Sequence, residues 1–84
     1  MPSTVRHGVV LTRLKARIFD LIKRSDGINA SDINEQIFHG RVQRETIKAH
    51  IWQINEALAD TGVRIWCTDT QYQVVTRRNW SEAG

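Results

Sequence analysis

Apolar residues recur along this chain with two different periods. Leu14, Ile18, Leu21 and Ile22, widened by Phe19, step by threes and fours and predict an amphipathic helix over 13–24. Thr12 stands at the N-cap position, and Ser25, Asp26 and Gly27 follow the last apolar turn, with the glycine expected in the left-handed conformation. A shorter face of Ile33, Ile37 and Phe38 predicts a second helix over 30–38, capped by Asn29 with Asp32 three residues on, and ended by Gly40. Ile47, Ile51, Ile54 and Leu58 predict a third helix over about 43–60, with no strong cap at its start and Thr61 and Gly62 as its stop. The period then drops to two. Val63, Ile65 and Cys67 alternate with Arg64 and Trp66, a polar turn of Thr68, Asp69, Thr70 and Gln71 follows, and Tyr72 opens a second strand that runs to Thr76.

The elements sum to a mainly α fold with a small β-hairpin, in the order of a winged helix-turn-helix: three helices, then a wing. Boundaries fall into a short N-terminal extension or strand over 1–10, in which residues 1–8 are polar and expected to fray, a folded domain over 11–76, and a basic tail over 77–84. The link from His39 to Gln43 is short enough to hold the second and third helices together.

The third helix has an unusual outer face. At 100° per residue, Glu45, Ala49, Trp52, Gln53 and Glu56 lie opposite the apolar stripe, with Thr46 at the margin. A small residue permits close approach, a glutamine amide matches base edges, and Arg41, Gln43 and Arg44 at the start of the helix are placed to hold phosphates. This pattern predicts the recognition element of a DNA-binding domain.

Composition narrows the picture modestly. Eighty-four residues, 40% hydrophobic and 25% charged, make one globular domain. Twelve Lys and Arg against nine Asp and Glu leave a formal +3, a mild excess that fits nucleic acid or an acidic surface. The single cysteine, Cys67, excludes an internal disulfide, and its strand context predicts a small buried apolar group. His7, His39 and His50 lack metal-ligand spacing, no nucleophile is paired with a base, and Asp32 and Glu35 are helix-start charges. No metal, cofactor or catalytic site is expected, and therefore no enzyme. The start of the chain carries no apolar signal core and no run approaches a membrane span, so a cytoplasmic protein without a membrane partner is expected.

From Leu11 to Val75 the chain resembles the effector domain of OmpR/PhoB-type response regulators. Leu11 and Thr12 look like the motif that opens their first helix, and Asn29, Ala30, Ser31, Asp32 and Ile33 resemble their capped second helix. Thr46, Ile47, Lys48, Ala49, His50 and Ile51, followed by Ile54 and Leu58, are similar to their Thr-Val-x-x-His-Ile recognition segment, and Ile65 and Tyr72 fall at inward positions of their wing hairpin. The resemblance implies a winged helix that lays its third helix in the major groove. By position it makes Ala49 and Gln53 base-facing, Lys48 and His50 base-edge or phosphate contacts, and Thr68 a wing residue where such proteins often carry arginine. This chain departs from the family in several places: no receiver segment, no room before the first helix for their N-terminal four-stranded sheet, a shorter loop between the second and third helices, Gln53 and Asn55 where arginines are common, and no glycine in the wing turn.

The expected function is therefore that of a sequence-specific double-stranded DNA-binding transcriptional regulator. Thr46, Ala49 and Gln53 are expected to face bases, and Arg41, Gln43, Arg44, Lys48 and His50 to anchor the backbone. Thr68, Asp69, Thr70 and Gln71 are expected to form the tip of a wing over 63–76, with Arg77 and Arg78 adding electrostatic attraction. A second copy of the chain, and RNA polymerase or another regulator, are the further partners expected. The rival expectation is a protein-interaction module anchored by Trp52, Trp66 and Trp80, since tryptophans dominate protein interfaces. His50, on the border of the buried stripe, reads also as a structural histidine, and Trp52 as a packing residue.

Overall fold

A computed structural model describes residues 4–68 and 70–76. Among these, three helices and a small antiparallel sheet form a mixed α/β fold, with a separate two-stranded ribbon at the start. To the expected three helices and hairpin the structure adds two strand features, a ribbon at the start, where a short strand was one expectation, and a further strand that the apolar periodicity does not carry.

The first is the ribbon. β1 (Val5–Arg6) pairs antiparallel with β2 (Val9–Val10) across His7 and Gly8, both at positive φ as a two-residue hairpin turn with the right twist requires. Residues 5–10 are thus not frayed. Arg6 docks the ribbon on the first helix through Nε to Asp20 Oδ1 at 2.8 Å and Nη2 to Asp20 Oδ2 at 2.6 Å. That forked bond, ahead of the attraction of nearby cations, lowers the Asp20 carboxyl below its ordinary value.

The first helix, α1 (Arg13–Ser25), starts as predicted: Thr12 Oγ1 accepts from the Lys15 N–H. Its left-handed terminal residue is Asp26 rather than the expected Gly27, which follows at a φ of +122°. β3 (Ile28–Asn29) is a strand that the sequence pattern does not predict. It is two residues long, too short to show alternation, and pairs with Tyr72 and Gln71.

Asn29 then caps α2 (Ala30–Ile33), its side chain accepting from the Asp32 N–H at 2.8 Å. The predicted helix over 30–38 is present, but Asn34–Phe38 winds as a π turn. The Asn34 carbonyl accepts from the N–H groups of His39 and Gly40, and the Asn34 side chain clasps the following link, Nδ2 donating to Val42 O and Oδ1 accepting from the Val42 N–H. Gly40 suits this position because its φ is +77°, a conformation in which any other side chain is strained; the nearest group to an added Cβ is only the movable end of Glu35.

α3 (Arg44–Ala57) starts after Gln43, whose side chain makes no capping bond, as the sequence implied. It is shorter at its C-terminal end than the predicted 43–60, because a turn takes over at Leu58 and the Thr61 hydroxyl donates to Leu58 O. β4 (Val63–Thr68) and β5 (Gln71–Thr76) form the predicted hairpin, and with β3 they give the sheet order β3-β5-β4.

The core lies where the three helices meet one face of this sheet. Ile18, Phe19 and Ile22 of α1, Ile33 of α2, Ile47 and Ile54 of α3, and Leu58 are almost fully buried, joined by Val63, Ile65 and Tyr72 of the hairpin. No charged or polar residue is buried among the described residues. β4 is an edge strand, yet Ile65 does not present an open edge. Asn55 of α3 donates from Nδ2 to Ile65 O at 3.0 Å and accepts from the Ile65 N–H at Oδ1, at 2.7 Å. Asn55 is therefore a structural clamp between α3 and the sheet, at a position where the family resemblance would place an arginine.

Removing that clamp leaves two partly buried backbone groups without their partner. Asn55→Ala is expected to destabilise the domain by about 1–3 kcal/mol, read by urea unfolding. A variant as stable as the parent would show that the clamp contributes nothing.

Candidate nucleic-acid interface

With Ile47, Ile51 and Ile54 buried, the opposite side of α3 faces solvent. Thr46, Ala49 and Gln53 stand at i, i+3 and i+7 and so line one side of the helix over two turns. Ala49 and Gln53 are exposed and Thr46 is half-buried beside them. The three residues expected to face bases thus form one continuous strip.

With exposed Glu45 and Trp52 between, Arg44 and Lys48, at i and i+4, lie further round the helix, roughly 100° or more from that strip and on the side toward the hairpin. They line an open groove with Asn29, Ala30 and Ser31 at the start of α2 and Cys67, Thr70 and Tyr72 of the hairpin. This groove joins helix, helix start and hairpin into one surface carrying two exposed cations. Arg41 and Gln43 are exposed in the α2–α3 link, before the helix, and Arg41 uses its backbone N–H to bond Phe38 O. Thr68, Thr70 and Gln71 are exposed at the hairpin tip, where the pairing of Thr68 with Gln71 leaves a two-residue loop. Asp69, Arg77, Arg78 and Trp80 lie outside the described residues.

His50 is placed differently from its neighbours. Its ring stacks on Phe38 at 5.7 Å between centroids and 22° between planes, and its Nδ1 is buried without a hydrogen-bond partner. Burial first, and the charge of Lys15 second, hold the imidazole below its ordinary pKa. A half-buried ring stacked on Phe38 beside the π turn fits the structural reading of His50 that the sequence also offered.

Cys67 also departs from expectation, being exposed rather than buried. Its parity along β4 matches buried Val63 and Ile65, but the hairpin runs past the edge of the core, so this third inward position opens onto the groove. Across from it, Tyr72 is buried, and that burial raises its phenol above the ordinary value. Trp52 on α3 is 63% exposed and Trp66 on β4 is 41% exposed, with the Arg64 guanidinium 4.2 Å over the Trp66 ring. Trp52 is therefore not a core-flanking residue.

Sequence reasoning passed over Ser31 and Tyr72 as groove residues. Ser31 follows a cap whose role in the helix is evident, but only the pairing of β3 with β5 brings it beside the hairpin. No group of histidine, cysteine and carboxylate side chains able to hold a metal occurs among the described residues, and no helix there is long and apolar enough to cross a membrane. No family model matches the chain, and neither a curated protein nor a solved structure matches it.

The lowered His50 pKa has a signed consequence. The group binds its proton more weakly in the folded state than at about 6.5 in the unfolded chain, so its contribution to stability is full above that pH. It is lost as pH falls through the lowered folded value. Proton NMR titration is expected to give His50 a midpoint below about 6.5, and His50→Gln to flatten the loss of stability on acidification through this range. A midpoint at or above that value would contradict the packing role.

Proposed function

We propose that the domain is a winged helix-turn-helix of the OmpR/PhoB type and acts as a sequence-specific double-stranded DNA-binding transcriptional regulator. The single observation that carries this reading is the strip of Thr46, Ala49 and Gln53 on the free face of α3, on the same helix that turns Arg44 and Lys48 toward a groove shared with the hairpin. The element order supports it too: a short strand between the first two helices pairs with the last strand of the hairpin, so the hairpin is held beside α3 as a wing.

On this reading α3 lies in the major groove. Ala49 gives the close approach, the Gln53 amide offers a donor and an acceptor to the N6/N7 edge of adenine, and Thr46 contacts a neighbouring base or methyl group. Arg44 and Lys48 hold one phosphate strand between helix and wing, Arg41 and Gln43 hold the backbone before the helix, and Thr68, Thr70 and Gln71 touch backbone or minor groove. A single domain with few cations gains affinity by pairing on two half-sites, so a homodimer on DNA is part of the proposal.

A second reading is a winged-helix module that binds protein, and the exposure of Trp52 and Trp66 favours it. The two readings separate by salt: phosphate contacts release counterions, so DNA affinity falls steeply as salt rises, whereas an aromatic interface changes little.

Gln53→Ala is expected to weaken binding to the selected duplex by about 1–3 kcal/mol and to relax preference at one base pair, whereas Lys48→Ala weakens all duplexes alike. Fluorescence anisotropy on single-base variants of the site reads both effects. A Gln53→Ala protein with an unchanged base preference would remove Gln53 from base reading.

A further inference from the structure

The solvent face of α1 is built from a single kind of side chain. Its exposed residues are Arg13, Arg17, Lys23 and Arg24, all basic. Arg13, Arg17 and Arg24 fall at i, i+4 and i+11, within one narrow stripe. The only carboxylate on that stripe, Asp20, is occupied by the forked bond from Arg6. Helix stability accounts for only part of the arrangement, since Lys23 and Arg24 in the last turn suit the helix dipole but the start of the helix does not. The first turn of α1 carries Arg13 and Lys15 and no acidic residue, which opposes the helix dipole.

Between this stripe and the π turn runs a second groove, lined by Arg17, Asp20, Leu21, Arg24, Gln36 and Ile37. It shares no residue with the groove between α3 and the hairpin. Two guanidinium groups and a glutamine amide suit carboxylates, since arginine pairs with a carboxylate in a fork. Half-buried Ile37, backed by buried Leu21, gives the groove an apolar element that a sugar-phosphate backbone would not use and a polypeptide would. The π turn contributes the Gln36 and Ile37 wall, and its wide winding is fixed by the Asn34 bonds that also set the α2–α3 link.

We propose that this groove docks an acidic segment of a partner protein, with carboxylates on Arg17 and Arg24 and apolar side chains against Ile37. The site is separate from the proposed DNA surface and does not depend on it. Charge complementarity chooses the occupant: the fully exposed residues of α1 are all basic, and the one acid that lines the groove, Asp20, is held by Arg6.

The test is anisotropy of a labelled peptide repeating Glu-Glu-Leu against the full chain, with Glu-Glu-Gly and Lys-Lys-Leu peptides as comparisons. The Glu-Glu-Leu peptide is expected to bind more tightly than Glu-Glu-Gly, and Lys-Lys-Leu not to bind. Arg17→Glu with Arg24→Glu is expected to weaken the peptide by about tenfold or more, while Arg44→Ala with Lys48→Ala leaves it unchanged. Arg17→Gln with Arg24→Gln, checked for unchanged circular dichroism, serves if charge reversal disturbs the fold. Absence of peptide binding, or binding indifferent to the Arg17 and Arg24 changes, overturns the proposal. Displacement of the peptide by duplex DNA, with the same variants weakening DNA equally, overturns it in favour of a phosphate surface.

Discussion

Everything displayed on the outside of α3 depends on how that helix is held on the inside. Its stripe of Ile47, Ile51 and Ile54, continued by Leu58, buries against the other helices and the sheet, which fixes the rotation of the helix about its own axis. Two asparagines then fix its ends. Asn34 clasps Val42 just before α3 starts, and Asn55 near its end bonds both backbone groups of Ile65 on β4. Each bridge satisfies backbone groups that would otherwise need water, and each joins α3 to a different neighbour. A one-residue change in rotation would break both and turn the isoleucines outward. The composition of the free face is consequently a property of a rigid surface, which is what allows it to be read as a site.

The charge distribution acquires meaning from the same framework. A formal excess of three positive charges over the whole chain says little about partners. Once folded, the cations separate into Arg44 and Lys48 beside the hairpin groove and the arginine stripe of α1 beside the π turn. Arg6 contributes to neither in a simple way, since it is committed to Asp20. A DNA-facing surface and an acid-binding surface on different sides of one small domain would let it bind a nucleic acid and a protein together.

Much of this fold could be read from residue pattern, and the failures have identifiable causes. The three helical stripes, the Thr12 and Asn29 caps and the two hairpin strands are local, and each is specified by spacing within a few residues. What spacing could not carry was anything set by a partner distant in sequence. β3 is two residues long and exists because Tyr72 and Gln71 lie beside it. The π turn follows from Asn34 reaching Val42 across the link, and the N-terminal ribbon from Arg6 reaching Asp20. Alternation along β4 gave the parity of Cys67 correctly but not where the core ends, so a residue expected inside is exposed. Of the candidate site, the strip of Thr46, Ala49 and Gln53 was legible because helical geometry places the three together once the buried stripe is known, whereas the groove of Arg44 and Lys48 needed the hairpin to define it. His50 was not legible, since 100° steps put it on the border and only the ring of Phe38 decides which way it faces.

The central claim, that the free face of α3 reads duplex DNA, is tested most directly by selection. The purified protein is mixed with a randomised duplex pool at low and near-physiological salt, and the retained molecules are sequenced. The account predicts enrichment of one short motif, retained less as salt rises. Failure to retain any duplex at either salt, or retention without sequence preference, would contradict it.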